Sequence, residues 1–131
     1  MIYLDSSALL KLLFQEHESD SLQDWLAARP GVPTVSSELA KVEVLRATRR
    51  IDAAALPDAR TMLRQLDLVP LAGAVVELAS DLESPRLRSL DALHLASALT
   101  LGEEMAAFVA YDDRLLEAAV TAGLATHQPG V

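Results

Sequence analysis

At 131 residues the chain is sized for one domain with a proper core and is too short for two ordinary ones. Its 51% hydrophobic and 23% charged content excludes a disordered segment, and the absence of cysteine excludes a disulfide framework, a thiolate zinc site and a cysteine nucleophile. A formal net charge of −8 argues against holding duplex nucleic acid by counterion release, so any grip on nucleic acid has to be local. Met1 leads straight into an apolar run with no basic leader or cleavage site, and no apolar run approaches the ~18 residues of a membrane helix. A cytoplasmic chain with no membrane partner is therefore expected.

Met1 to Leu4 has the size of a fully buried strand, and Asp5-Ser6-Ser7 then favours a helix cap or turn. Leu9, Leu10, Leu12, Leu13 and Phe14 are too densely apolar for an exposed face, so the first helix should lie on the core. His17 to Ala28 repeats apolar positions at Leu22, Trp25 and Leu26 and stops at Arg29-Pro30-Gly31. Val32 to Val35 predicts a strand, Ser36-Ser37 a cap, and Glu38 to Arg50 a helix on which Glu43, Arg46 and Arg50 share a stripe with Leu39.

Ala53 to Gln65 reads as helical, with Pro57 tolerable only near its start. Leu66 to Leu71 predicts a third strand, Gly73 to Leu82 a helix and Glu83 to Arg86 a polar loop. Ser89 is positioned to cap a helix from Leu90 to about Thr100 that carries Asp91 in its first turn. Met105 to Tyr111 predicts the clearest internal strand, Arg114 to Ala122 a helix stopped by Gly123, and Leu124 to His127 a last short strand.

Strands alternating with helices imply an α/β fold, with a central parallel sheet of four to five strands, helices on both faces, and one domain over residues 1–131. Asp5 and Asp112 then fall at carboxyl ends of strands, where open α/β sheets bind ligands, and Asp91 falls at a helix N-terminus, where the macrodipole favours an anion. Taken alone, Asp5 is equally well read as a plain helix cap. With Glu43 leaning toward the same edge, four carboxylates from four segments converge on one rim. A pair of such charges about 4 Å apart repels by about 4 kcal/mol at an effective dielectric of 20, so a cation is required. Oxygen donors alone suit Mg²⁺ or Mn²⁺ better than zinc, and such ions usually complete their shells with water and substrate phosphate.

These segments carry a family likeness. Leu4-Asp5-Ser6-Ser7-Ala8-Leu9, Glu43 within SELAKVEVLRA, Asp91-Ala92-Leu93-His94-Leu95-Ala96, and Phe108-Val109-Ala110-Tyr111-Asp112 followed by Arg114-Leu115 resemble, in order and spacing, the PIN-domain ribonucleases. Among these the chain resembles the VapC-type toxins of bacterial toxin–antitoxin pairs. The resemblance implies that Asp5, Glu43, Asp91 and Asp112 hold Mg²⁺ or Mn²⁺ and that Ser7 hydrogen-bonds within the site. It implies an endoribonuclease that cuts single-stranded stretches of structured RNA, commonly transfer or ribosomal RNA, leaving a 5′-phosphate. It also implies a cognate VapB-type antitoxin lying across the groove, and a homodimer, for which Leu9, Leu10, Leu13, Phe14 and Trp25 supply apolar surface. Arg46, Arg50, Arg86 and Arg88 are the expected RNA-phosphate contacts because they flank Glu43 and Asp91, although charge runs of this kind more often form solvated helix faces and polar loops.

Two departures stand out. Ala110 replaces a frequent Thr or Ser, which removes one supporting hydrogen bond, and Asp113 directly follows Asp112, which the spacing to Arg114 and Leu115 nevertheless selects. His94, three residues after Asp91, is read as a buried structural histidine rather than a metal ligand. His17 and His127 read as surface residues, and Trp25 as a core or partner contact rather than a base-stacking platform. Two rivals remain: a phosphohydrolase or receiver using Asp5 as phosphoryl acceptor, and a catalytically silent PIN-like binding module. The first is weakened by Ser7, which stands where a second Asp is wanted, and by the chain's having no lysines beyond Lys11 and Lys41.

Overall fold

The computed structural model describes residues 1–131. Five strands form one sheet: β1 (Ile2–Leu4), β2 (Thr34–Ser37), β3 (Asp67–Val69), β4 (Ala107–Val109) and β5 (Thr126–His127). They lie in the order β3-β2-β1-β4-β5 with every neighbouring pair parallel. Parallel neighbours need long crossovers. Helices α1 (Ser6–Leu13) and α2 (Ser19–Ala27) carry the chain from β1 to β2, and α3 (Glu38–Ile51) and α4 (Leu56–Arg64) from β2 to β3. Helices α5 (Gly73–Asp81) and α6 (Ser89–Leu99) return it to β4, and α7 (Asp113–Thr121) leads to β5. The chain steps outward from β1 to β3 and then crosses to the far side of β1. The order thus reverses between β1 and β4, which makes the crevice at their carboxyl ends the topological switch point.

Side-chain alternation along β1 divides the core in two. Ile2 and Leu4 pack with Leu9, Leu22, Val44 and Leu63 on one face, while Tyr3 packs with Phe108, Leu95 and Leu115 on the other. Both faces of the three central strands are therefore buried. Leu9 is consumed wholly by the first cluster, and Leu10, Leu13 and Trp25 pack partly against it. No helix is long and apolar enough to cross a membrane.

The boundaries differ from the sequence pattern where pairing overrides local propensity. Ser36 and Ser37 belong to β2, because they pair with Leu68 and Val69 and because the Ser36 hydroxyl donates to the Leu4 carbonyl at 2.6 Å; only Ser37 also caps α3. Ser89 is not the cap of α6 but its first residue: Arg88 is the N-cap and supplies no side-chain acceptor. That moves Asp91 to the third helical position. Helix α2 starts at Ser19 rather than His17, and a short 3-10 turn at Ala53–Ala55 precedes α4, which carries Pro57 in its first turn. His127 is half-buried rather than superficial, its ring 5.0 Å from that of Trp25.

The C-terminal segment is tied back onto α2. Tyr111 Oη donates to the Pro129 carbonyl at 2.8 Å, and Gly130, at φ +91°, sits where a Cβ would stand 3.0 Å from the Cβ atoms of Glu18 and Ser21. Gly130→Ala therefore meets both a left-handed backbone and a clash, whereas Gly123→Ala, at φ +90° in open space, meets only the backbone. The left-handed conformation alone costs roughly 1–2 kcal/mol for a residue with a Cβ. In urea titrations both variants are expected to lose at least that, with Gly130→Ala the more destabilised; equal losses would show that the terminal segment does not press on α2.

Candidate active site

Each carboxylate of the predicted quartet is delivered by a different element. Asp5 follows β1 directly and caps α1: its Oδ1 accepts from Ser7 Oγ at 2.6 Å and from the Ala8 N–H at 3.0 Å. The two readings of this residue are thus one structure, because the cap engages Oδ1 alone. Oδ2 makes no bond to protein, and no buried side-chain oxygen or nitrogen is without a partner, so Oδ2 retains contact with solvent. Ser7 Oγ also accepts from the Tyr111 N–H at 3.1 Å, locking the β1–α1 turn to the end of β4. Ala110 itself is fully buried in the second core cluster.

Asp112 caps α7 in the same manner, its side chain accepting from the Leu115 N–H at 3.0 Å. Asp113 is the first residue of α7 and exposed. Asp91 sits in the first turn of α6, half-buried. Glu43, one turn into α3, has its Oε1 fixed by two donors, Ser6 Oγ and His94 Nε2, each at 2.7 Å. His94 is 2% exposed, and its Nδ1 lies 2.7 Å from Tyr3 Oη. It is indeed a buried, hydrogen-bonded histidine, but one that touches the candidate site through Glu43.

The electrostatics ties these groups together. Burial pushes the Asp5 carboxyl above its usual range, more than the bonds from Ser7 and Ala8 can offset, and the Asp91 charge adds to the rise. Burial likewise raises Asp91, followed by repulsion from Asp112 and, more weakly, from Glu43, against relief from His94 and Arg88. Burial also pushes Glu43 up, but the hydrogen bonds from His94 and Ser6 outweigh it and hold the carboxyl below its ordinary value. Asp112, not Asp113, is the neighbour that Asp91 feels.

No three Asp, Glu or His side chains stand close enough together to share one ion as they lie. The set nevertheless suits a hard cation by its chemistry: oxygen donors only, two of them destabilised in the charged form, gathered at the switch point. Mg²⁺ commonly takes just one or two carboxylates and completes its shell with water and phosphate, so a closed cage is not required.

The arginines separate. Arg88, at the N-cap of α6, is the only one of the four that bears on a carboxylate of the set. Arg86 is instead paired with Glu117 of α7 at 3.1 Å, both side chains 65% exposed. Arg46 and Arg50 lie exposed on α3, one and two turns beyond Glu43. Three surface hollows, one along α3 and α4 beside Lys41 and Arg64, one between Arg86 and Thr121, and one between α5 and α6, are lined by none of the four carboxylates. Sequence reasoning missed Tyr3 and Ser6 as members of this network. The available signals were β1 alternation, which sends Tyr3 away from Ile2 and Leu4, and the i, i+3 placement of His94 beside Asp91.

A switch-point fold with acidic residues at the ends of β1 and β4 and at the start of α6 defines a known class. The sequence matches the PIN domain over residues 2–120, and the chain belongs to the PIN-domain family. It is similar along its length to VapC-type ribonucleases of Mycobacterium tuberculosis. Ribonuclease VapC35 is 43% identical over 99% of this chain and 98% of its own length, and Ribonuclease VapC46 is 44% identical over 98% and 97%. Among solved structures, VapC20 of Mycobacterium tuberculosis, described as a Sarcin-Ricin loop cleaving toxin, superposes with a TM-score of 0.78 at 17% identity, covering 98% of this chain and all of that one. FitAcB of Neisseria gonorrhoeae superposes at 0.77 and 15% identity over 98% of each chain. These two likenesses establish the fold.

Proposed function

We propose that the chain is a cytoplasmic, metal-dependent endoribonuclease toxin of a VapBC-type pair, neutralised by a cognate VapB-type antitoxin. The observation that carries this reading is the electrostatic coupling of Asp91 to Asp5, Asp112 and Glu43, in a chain 43% identical over its length to a VapC ribonuclease. Asp5, Glu43, Asp91 and Asp112 would hold Mg²⁺ or Mn²⁺, directly or through water. Such an ion, when bound, supplies Lewis acidity that activates water and neutralises phosphate charge. The chain's own residues orient and position. Ser7 holds Asp5 Oδ1 and leaves Oδ2 without a protein partner, and Arg88, whose charge bears on Asp91, would steady an incoming phosphate. Arg46, Arg50 and Arg86 are proposed as more distant phosphate contacts, with Arg86 first giving up its exposed pair with Glu117.

The substrate class is a single-stranded region of structured RNA, transfer or ribosomal, and the net charge of −8 leaves the arginines to grip it locally. An antitoxin presenting a basic residue would compete for the same acidic rim. A homodimer is proposed on apolar side chains that the core leaves half-covered, including Leu10, Leu13 and Trp25. The phosphoryl-acceptor alternative is disfavoured because Ser7, not an acid, bonds Asp5. Purified protein is expected to convert total cellular RNA into discrete fragments with Mg²⁺ or Mn²⁺, to stop with chelator, and to lose cleavage in Asp91→Asn. RNA left equally intact by wild type and variant under every condition would replace this reading with that of a silent binding module.

A further inference from the structure

We propose that Tyr3 and His94 are positioning residues for Glu43: a buried hydrogen-bond chain that saturates one oxygen of its carboxylate and leaves the other for the cation. This rests on the reading of the four carboxylates as a metal-holding set.

The anchoring of Glu43 differs from that of its partners. Asp5 and Asp112 are short and each is fixed by a main-chain N–H, from Ala8 and Leu115. The Glu43 carboxylate, on a longer and more mobile stem, receives no main-chain bond and is held only by Ser6 Oγ and His94 Nε2. An ionised carboxylate only accepts, so the proton in the His94–Glu43 contact belongs to Nε2. In the neutral imidazole Nδ1 is then an acceptor and requires a donor, which Tyr3 Oη supplies at 2.7 Å. A phenol hydroxyl carries its proton at neutral pH and so can donate it here. With the proton on Nε2 the chain runs in one direction, Tyr3 donating to Nδ1 and His94 donating to Glu43, whereas the opposite tautomer would turn an Nε2 lone pair toward the Glu43 carboxylate.

The chain is also mechanically fixed. Tyr3 lies in the central strand, stacked on Phe108 with ring centroids 5.2 Å apart and planes 6° apart, and meets the His94 ring edge-on at 81°. Glu43 of α3 is thereby fastened to β1 through Tyr3, to α6 through His94 and to α1 through Ser6. Outer partners that orient a metal-ligating side chain typically change metal affinity 10- to 100-fold when removed.

The test is Mn²⁺ titration of the full chain, followed by the electron paramagnetic resonance signal of the free ion, with folding checked by circular dichroism. Tyr3→Phe, which keeps the stacked ring, and His94→Asn, whose amide is too short to reach Glu43, are expected to weaken Mn²⁺ binding about 10- to 100-fold. His94→Gln, which places an amide N–H near the Nε2 position, is expected to restore most of it. In a Glu43→Gln background, Tyr3→Phe is expected to change nothing further, because its effect passes through Glu43. If His94→Asn does not fold, Tyr3→Phe alone decides. Wild-type affinity in Tyr3→Phe, with binding lost in Asp5→Asn, would overturn the inference and leave the metal site standing, as would failure of His94→Gln to rescue or a full Tyr3→Phe effect on top of Glu43→Gln. If the wild type binds no Mn²⁺, or Asp5→Asn binds it as the wild type does, the metal-site reading falls and this inference falls with it.

Discussion

Asp5→Asn is expected to abolish RNA cleavage while making the metal-free protein more stable at neutral pH. The activity loss should exceed about 100-fold, the upper end of what removing an outer partner of a metal ligand costs, because here a ligand itself is changed. The stability gain follows from local chemistry. Asparagine is about as good an N-cap as aspartate, and its side-chain oxygen can still accept from Ser7 Oγ and the Ala8 N–H, so the start of α1 is kept. What disappears is a buried charge. Because burial raises the Asp5 carboxyl in the folded state, the folded chain binds more protons than the unfolded one between the ordinary carboxylate value and the raised one. The stability linked to Asp5 is thus fully present below the ordinary value and is lost as pH rises through the raised one. Asp91 is raised too and acts in the same sense.

Melting temperatures without metal should accordingly lie closest for wild type and Asp5→Asn below the ordinary carboxylate value, at about pH 3, and the variant should pull ahead as pH rises to neutrality. Added Mg²⁺ should reverse the order at neutral pH. A ligand at 100 times its dissociation constant stabilises by about 2.7 kcal/mol, and only the wild type gains this. Cleavage within tenfold of wild type would remove Asp5 from the catalytic set; a variant less stable than wild type at neutral pH would show that the charge, not its burial, supports the turn.

The features legible in the sequence were those that a single segment determines. Asp5 after an apolar run, Asp91 in a first helical turn and Asp112 before a helix each declared a place at the carboxyl edge of a parallel sheet, because strand–helix order fixes that edge. What stayed illegible depended on partners distant in the chain. The serines of β2 read as a cap because nothing local reveals that Leu68 and Val69 pair with them. Arg86 read as a phosphate contact because Glu117, which it meets, lies 31 residues away on α7. The chain Tyr3–His94–Glu43 joins residues 91 and 51 positions apart, and each has an innocuous reading alone: a strand aromatic, a core histidine and a helix glutamate. Leu9 read as surplus apolar surface, yet it is fully buried, because two core clusters rather than one have to be filled.

The second cluster is where a single substitution should do the most structural damage, and Phe108→Ala is that substitution. Phe108 is fully buried in the middle of β4, paired with Tyr3 across β1 and with Thr126 across β5, so no loop can collapse into the space it leaves. Phe→Ala in a packed core costs about 3–5 kcal/mol, and an aromatic pair such as that with Tyr3 adds about 0.5–1.5 kcal/mol beyond the area it buries. Against an ordinary stability of about 5–15 kcal/mol this leaves little margin. The urea midpoint should fall steeply at unchanged slope, whereas Val120→Ala, at a side chain 59% exposed, should stay within about 0.5 kcal/mol of wild type. Phe108→Leu separates packing from stacking: it refills most of the volume but removes the flat surface on which the Tyr3 ring rests. It should recover most of the stability while weakening Mn²⁺ binding, because Tyr3 then holds His94, and through it Glu43, less firmly. Recovery of both together would mean that volume alone supports the site and that the ring stack contributes nothing to it.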